Sequence, residues 1–376
     1  SGKTTLLTRE FGASHRYVGL DAVDVRASAR ADPRGFLAAH PAPVIIDEIQ
    51  YAPDLLPLIK ERVDVRRRAA GQYLLTGSHN LLLMERVSET LAGRTAVLRL
   101  LPLSRRELDH QPEAPPPWLE ESVKRPRPTV SRAALASRLL RGGYPELAAR
   151  PGLDARLWHT GYLQTYLERD VRTIRQVGDL TLFQGFLRTL ALRAGQLLNF
   201  ADVSRDLGVS ANTVKAWVSV LEATHQAFIL RPYFVSGGQR LVKTPKVYFT
   251  DTGVLCRLLD VANPAAVLEG PFAGAIFETA VLAEIVKAFV HRGDDPRVYF
   301  WRTTNGLEVD FVVDAGGKLI PVEAKSTATP RIETTGAMRS FLRAYGSRSG
   351  RGFLVHTGPA RLPFGGGLTA VPFAGW

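Results

Sequence analysis

The run Val44-Ile45-Ile46-Asp47-Glu48 constrains this chain more than any other stretch. An apolar run that closes on two carboxylates reads as a strand buried on both faces. Such strands belong to parallel sheets covered by helices. Ligands of open α/β sheets bind at the carboxyl ends of the strands, which places Asp47 and Glu48 where chemistry is done. Upstream, Ser1-Gly2-Lys3-Thr4-Thr5 matches the second half of a phosphate-binding loop, G-x-x-x-x-G-K-[ST]. In such a loop backbone N–H groups, here from Gly2 to Thr5, cradle phosphates. Lys3 would reach the outer phosphates and the Thr4 hydroxyl would hold Mg²⁺. The helix starting near Leu6 would face the anion with its N-terminus. Asp47 would hold the same Mg²⁺ through water, and Glu48 would polarise the attacking water. The chain begins inside this loop, so the launching strand is expected to be missing and the fragment is expected to bind ATP poorly.

Strands expected at Tyr17–Asp21, Val44–Glu48, Tyr73–Ser78 and Thr95–Leu101 alternate with helices, among them Pro53–Arg68 and Leu81–Leu91. That alternation predicts a parallel P-loop sheet with helices on both faces. Ser78, or Asn80, at the tip of the third strand would read the γ-phosphate. Arg94 is a candidate arginine finger or phosphate sensor, against the plainer reading of a solvated surface arginine.

At 376 residues, 45% hydrophobic and 22% charged, the chain has the composition of a globular protein with two or three domains. A net charge of +12 points to a polyanionic partner, nucleic acid first, although an arginine-rich composition alone accounts for it as well. Cys256 is the single cysteine, which excludes an internal disulfide and a cysteine-bearing zinc site. No apolar run is long enough to span a bilayer, so the chain is expected to be cytoplasmic, with no membrane partner.

The proline-rich segment His110–Pro128 reads as a linker. Helical pattern resumes at Ser131, a good N-cap, and stops at Gly142-Gly143-Tyr144-Pro145. Asp154–Gln176 is a longer amphipathic helix. Further on, Ala201–Leu207, the turn Gly208-Val209-Ser210 and the helix from Ala211 form a helix-turn-helix pattern. Two strands, His225–Phe234 and Arg240–Phe249, read as a hairpin wing carrying Arg231, Arg240, Lys243 and Lys246. Asn212, Thr213 and Lys215 on the second helix would enter the major groove, with Arg240 and Lys243 on phosphates. The alternative is a winged helix used for packing or dimerisation.

In the last third, Gly274–Val290 is a helix carrying Glu278. Leu307–Val313 and Leu319–Lys325 form a hairpin. Alternation along the strands puts Asp310, Glu323 and Lys325 on one face, with Val322 and Ala324 turned to the core. Glu278 arrives from the helix. Three carboxylates suit Mg²⁺, and the lysine would position or deprotonate water attacking a phosphodiester.

The chain resembles the prokaryotic proteins that join an AAA-type ATPase of the archaeal-ATPase group to a winged helix and a restriction-endonuclease-like module. The resemblance rests on Gly2-Lys3-Thr4, Val44–Gln50, Leu75–Ser78, Leu91–Arg94, Gly142–Pro145, Tyr166–Asp170, Lys243–Gly253 and Glu308–Lys325. It implies an AAA-like P-loop domain over 1–110 and a linker and helical region over 111–180. It further implies a winged helix-turn-helix over 181–260 and an α/β endonuclease-like domain over 265–376. It implies Lys3 and Thr4 at ATP and Mg²⁺, Asp47 and Glu48 as the Walker B pair, and Glu278, Asp310, Glu323 and Lys325 as a nuclease-type site. Two functions follow as expectations. One is an ATPase that binds DNA through the winged helix and cleaves it with Mg²⁺. The other is an ATP-gated switch that binds DNA or a protein partner through a non-catalytic module. An Arg94 finger would require self-association.

Overall fold

The computed structural model describes residues 2–77, 87, 89–119, 130–166, 179–233 and 242–376. The chain divides into two compact units, Ser1–Leu100 and Leu101–Trp376.

The first unit is built on β2 (Val44–Asp47), whose four residues are all buried. It lies between β1 (Arg16–Gly19) and β3 (Tyr73–Leu75), and both neighbours run parallel to it. The order follows from burial, since the most apolar strand takes the centre, where both edges are paired. Helices α1 (Lys3–Phe11), α2 (Val23–Ala31), α3 (Pro33–Ala39) and α4 (Leu55–Val65) alternate with the strands. Asp32 closes α2 and caps α3, its carboxylate accepting from Gly35 N–H at 2.9 Å. Pro33 at the first helical position needs no N–H partner there. Phe36, Leu37, Leu55, Leu56 and Ile59 pack onto Val44 and Ile46.

One expectation fails in this unit. Thr95–Leu101 forms no strand. Leu98 is 80% exposed and Val97 is exposed beside it, so the apolar pattern has neither a paired edge nor a covered face. Most of the helix expected at Leu81–Leu91, with Ser78 and Asn80, lies outside the described residues.

The second unit opens with α5 (Arg105–Leu108), α6 (Arg132–Arg141), α7 (Pro145–Ala149), α8 (Ala155–Tyr166) and α9 (Leu180–Ala191). Ser131 caps α6 as its position suggests, accepting from Ala134 N–H at 3.1 Å. The remainder of the helix expected to reach Gln176 lies outside the described residues. Then α10 (Phe200–Leu207) and α11 (Ala211–Ala223) meet at Gly208, which takes φ +67 to turn the chain. Trp217 on α11 packs edge-on to Phe183 of α9. The strands β4 (Ala227–Leu230) and β5 (Lys246–Phe249) pair antiparallel. They are shorter than the expected hairpin, and its tip, 234–241 with Arg240, lies outside the described residues.

After α12 (Thr252–Leu258), α13 (Pro264–Glu269) and α14 (Ala273–Val290) comes a mixed sheet. It holds β6 (Val298–Arg302), β7 (Glu308–Ala315), β8 (Lys318–Lys325), β9 (Gly352–His356), β10 (Leu362–Gly365) and β11 (Leu368–Pro372). Their order is β10-β11-β9-β8-β7-β6. The pairs β8–β9 and β9–β11 are parallel and the rest antiparallel. Alternate residues feed two cores. Val322, Ala324, Phe353 and Val355 pack with Phe277 and Val281 of α14. Leu319 and Leu354 pack with Met338 and Phe341 of α15 (Gly336–Tyr345). A helix therefore covers each face of the sheet.

Candidate functional sites

In the first unit the end of β2 delivers Asp47 to three hydroxyls. Thr76 Oγ1 donates to its Oδ1 at 2.6 Å. Thr4 Oγ1 and Tyr17 Oη donate to Oδ2 at 2.7 Å and 2.9 Å. Burial alone would raise the Asp47 pKa, but the hydrogen bonds from Thr76, Thr4 and Tyr17 hold it below the usual carboxylate range. The same interaction acts in reverse on Tyr17, which burial and then Asp47 push up to about 12. Thr4 begins the first turn of α1, and Gly2 before it holds φ +80. Lys3, half-buried, and Thr5, exposed, share that turn. Glu48 follows Asp47 in the left-handed region at φ +58, with its carboxylate on the Gln50 amide. A glutamate in that conformation is uncommon and marks a turn held by its surroundings.

Arg94 is not part of this cluster. Its Nε donates to Asp64 of α4 at 2.6 Å and its Nη1 to Ala92 O at 2.9 Å. Tyr17 and Thr76 were not singled out in the sequence. Thr76 directly follows β3, whereas Tyr17 lies within β1, two residues before the one that pairs with Asp47.

In the second unit the hairpin β7–β8 gathers the other carboxylates. Asp310 Oδ2 accepts from Ala324 N–H at 2.9 Å, which ties β7 to β8 beside Glu323. A register shift between β6 and β7 falls at this level. Lys325 Nζ stands 2.7 Å from Glu323 Oε1 and 3.8 Å from Asp310 Oδ2. Asp310 and Glu323 are buried, and Glu323 Oε2 has no hydrogen-bond partner among the described residues. Burial and then the charge of Asp310 push Glu323 up to about 8, against the pull of Lys325. Glu278 on α14 is pushed up to about 7 by the same two causes in the same order.

Glu278 is held by the stretch Lys243–Gly253, to which the sequence assigned no part in this site. Tyr248 of β5 donates its hydroxyl to Glu278 Oε2 at 3.2 Å. Gly195 approaches so closely, at φ +80, that a Cβ there would lie 3.0 Å from the same oxygen. Lys246, also on β5, is buried on Glu308 and lowers the Glu278 pKa. Glu308 in turn receives Arg302 at 2.8 Å. The alternation of Lys246 and Tyr248 along β5 was the signal for these two.

The charge of Asp310 thus acts on both Glu278 and Glu323, and the Lys325 ammonium feels all three carboxylates. Hard oxygen donors and an orphaned buried carboxylate oxygen suit a divalent cation. Yet among the described residues no group of three or more His, Cys, Asp or Glu side chains is close enough to hold a metal ion. The acidic groups gather but do not form a ready-made cage.

The remaining sequence candidates lie on α11. Asn212 and Lys215 are exposed near its N-terminus. Thr213 instead belongs to the cap, with its N–H on Ser210 Oγ at 3.0 Å. Lys243 is exposed in the segment before β5.

Three stretches match family models. Residues 1–109 match an AAA domain, 132–265 a domain of unknown function (DUF8612) and 273–376 another (DUF4143). Uncharacterized protein Rv2008c of Mycobacterium tuberculosis is 32% identical over 375 residues, spanning 99% of this chain and 78% of that protein. Uncharacterized protein Mb2031c of Mycobacterium bovis matches with the same figures.

The chain belongs to the family of these AAA-domain proteins.

No solved structure matches it. Its Thr4–Asp47 hydrogen bond falls inside the AAA match. The acidic cluster draws Tyr248 from the second match and Glu278, Asp310 and Glu323 from the third. Among the described residues no helix is long and apolar enough to cross a membrane.

Proposed function

We propose that this AAA-domain protein couples ATP hydrolysis to the handling of DNA, and that its C-terminal module is a Mg²⁺-dependent nuclease. The observation that carries the nuclease reading is the convergence of Asp310, Glu323 and Lys325 with half-buried Glu278. When bound, Mg²⁺ would stabilise charge building on a phosphodiester, and Glu278, Asp310 and Glu323 would hold it. Lys325, fixed by Glu323, would orient the attacking water. Tyr248 would hold Glu278 in place.

For ATP, Gly2, Lys3, Thr4 and Thr5 at the start of α1 would face the phosphates. Thr4 and Asp47 would hold Mg²⁺ between loop and strand, and their direct hydrogen bond of 2.7 Å supports that pairing. Glu48 would position water. Ser78 would read the γ-phosphate, and Arg94 would act only on leaving Asp64. In the middle region α10 and α11 would serve as a helix-turn-helix. Asn212, Thr213 and Lys215 would face the duplex, with Arg240 and Lys243 of the wing on phosphates.

The deciding experiment incubates the protein with labelled DNA, Mg²⁺ and ATP. Cleavage is expected, falling at least about a hundredfold in Glu323→Ala and Lys325→Ala. No cleavage on any substrate form would remove the nuclease reading. A second reading, an ATP-gated switch with a non-catalytic module, is favoured by the lack of a preformed metal cage among the described residues. It predicts nucleotide-dependent binding of DNA or a protein that survives Asp310→Ala.

A further inference from the structure

A groove of about 380 Å³ opens beside β6, lined by Arg231, Pro232, Tyr233, Lys243, Pro245 and Tyr299. The sequence explains its shape. Residues 231–233 run parallel to β6, with Phe300 N–H donating to Arg231 O at 3.1 Å and Tyr233 N–H to Phe300 O at 2.7 Å. In such an extended segment Arg231 and Tyr233 turn the same way. Val242 N–H donates to Arg302 O at 3.1 Å, which brings Lys243 and Pro245 alongside.

The lining combines two cations with two tyrosines and contains no acidic residue. Tyr233 is fixed. Arg348 donates to its hydroxyl at 2.9 Å, and the rings of Tyr299 and Tyr345 stand edge-on to it. Tyr299 is only partly buried. Lys243 is exposed and has no ion-pair partner among the described residues. Arg231 pairs with Glu222 at 3.6 Å, both exposed, and an exposed pair of that kind exchanges readily for a stronger anion.

We infer that this groove seats an unstacked base and its flanking phosphates from single-stranded nucleic acid. Aromatic faces and clustered cations without carboxylates are the features that bind single strands regardless of sequence. The volume suits one nucleotide. A peptide adding as a β-strand is disfavoured, because Pro232 and Pro245 offer no N–H to it. The groove also lies close to the acidic cluster along the chain. Tyr299 pairs with Val312, two residues beyond Asp310 on β7. This inference concerns the form of nucleic acid bound and does not depend on cleavage.

Fluorescence anisotropy of the full chain, in EDTA and low salt, tests it with labelled oligo-dT, oligo-U and a duplex of equal length. Single strands are expected to bind, both oligo-dT and oligo-U. Tyr299→Ala should weaken single-strand binding about tenfold or more, and Tyr299→Phe should restore it. The exposed double variant Arg231→Ala/Lys243→Ala should weaken it too. Its log–log salt slope should be shallower by about 0.7 for each phosphate that the variant no longer neutralises. The assay contains no free Mg²⁺ and reads binding alone, so failure of the nuclease reading and failure of this one are separate results. Unchanged strand binding in both the Tyr299→Ala and the double variant would overturn the inference. An equal loss on duplex in Tyr299→Ala would also overturn it, as would displacement of the strand by a proline-rich peptide that binds more tightly.

Discussion

Asp251 is 2% exposed, and both of its oxygens accept backbone N–H groups. Gly143 N–H reaches one at 2.7 Å and Val254 N–H the other at 3.1 Å. Gly142 holds φ +73 against it, and a Cβ there would stand 2.3 Å from Asp251 Oδ1. Gly253, two residues after Asp251, leaves equally little room, since a Cβ would meet His159 Nε2 at 2.3 Å. The stretches Gly142–Pro145 and Lys243–Gly253 therefore form a lock between α6 and α12. Asp251→Ala strands two buried donors and should cost roughly 3 kcal/mol. Gly142→Ala should cost more than the ~1–2 kcal/mol of a left-handed alanine, because it also displaces the carboxylate. Urea midpoints at constant slope measure both. At this scale the sequence showed which residues stand out and not what they do. Asp47 and Lys325 were legible because strand position fixes their surroundings. Tyr248 and Asp251 were not, because their partners lie far away in the chain. The Arg94–Asp64 pair was not legible, because nothing in the neighbourhood of Arg94 announces a partner thirty residues away.

Among the elements, α5 shows how a four-residue helix survives. Ser104 caps it, Glu107 returns a hydrogen bond to Ser104 N–H at 2.7 Å, and His291 of the α14 terminus stands 3.0 Å from the same carboxylate. Burial would raise Glu107, yet His291 and Ser104 bring it down to about 2 from an ordinary 4.5. A lowered carboxylate stabilises the fold fully above its unfolded pKa and loses that contribution as pH falls through the folded one. The contribution is thus complete above about pH 4.5 and gone near pH 2. Glu107→Gln should cost on the order of 2 kcal/mol at neutral pH, with the gap to the parent closing below about pH 4. Denaturation at a series of pH values tests this, and a gap that stays constant down to pH 3 would contradict it. The strands β7 and β8 were readable because their alternation is strong and both faces are covered. The edge strand β10 (Leu362–Gly365) was missed because it is almost wholly exposed and carries no pattern. The segment 95–101 fails the other way, with an apolar pattern and no neighbour to pair with.

Within the second unit, the large core cluster of the described residues runs from Leu101 to Trp376. In it Phe183, Phe186, Tyr248 and Val254 pack with Ile276, Phe277 and Phe311. Residues 101–376 should therefore fold alone with one cooperative thermal transition. Residues 132–265 alone should not, because their apolar faces would lie open. Circular dichroism melts of the two pieces decide the matter, and a sharp transition in the shorter piece would refute it. The resemblance implied a boundary between residues 260 and 265, and the second and third family matches span 132–265 and 273–376. Packing is continuous across it, a property that no local pattern displays.

Glu278 is steadied by a tyrosine that precedes it by thirty positions and belongs to a different family match. A recombination event that exchanged only the C-terminal match would deliver a new glutamate to an old tyrosine, and a new helix surface to an old Gly195. The two segments can pass between lineages as a pair. Traded singly, the C-terminal segment would arrive without the tyrosine that keeps its glutamate in place.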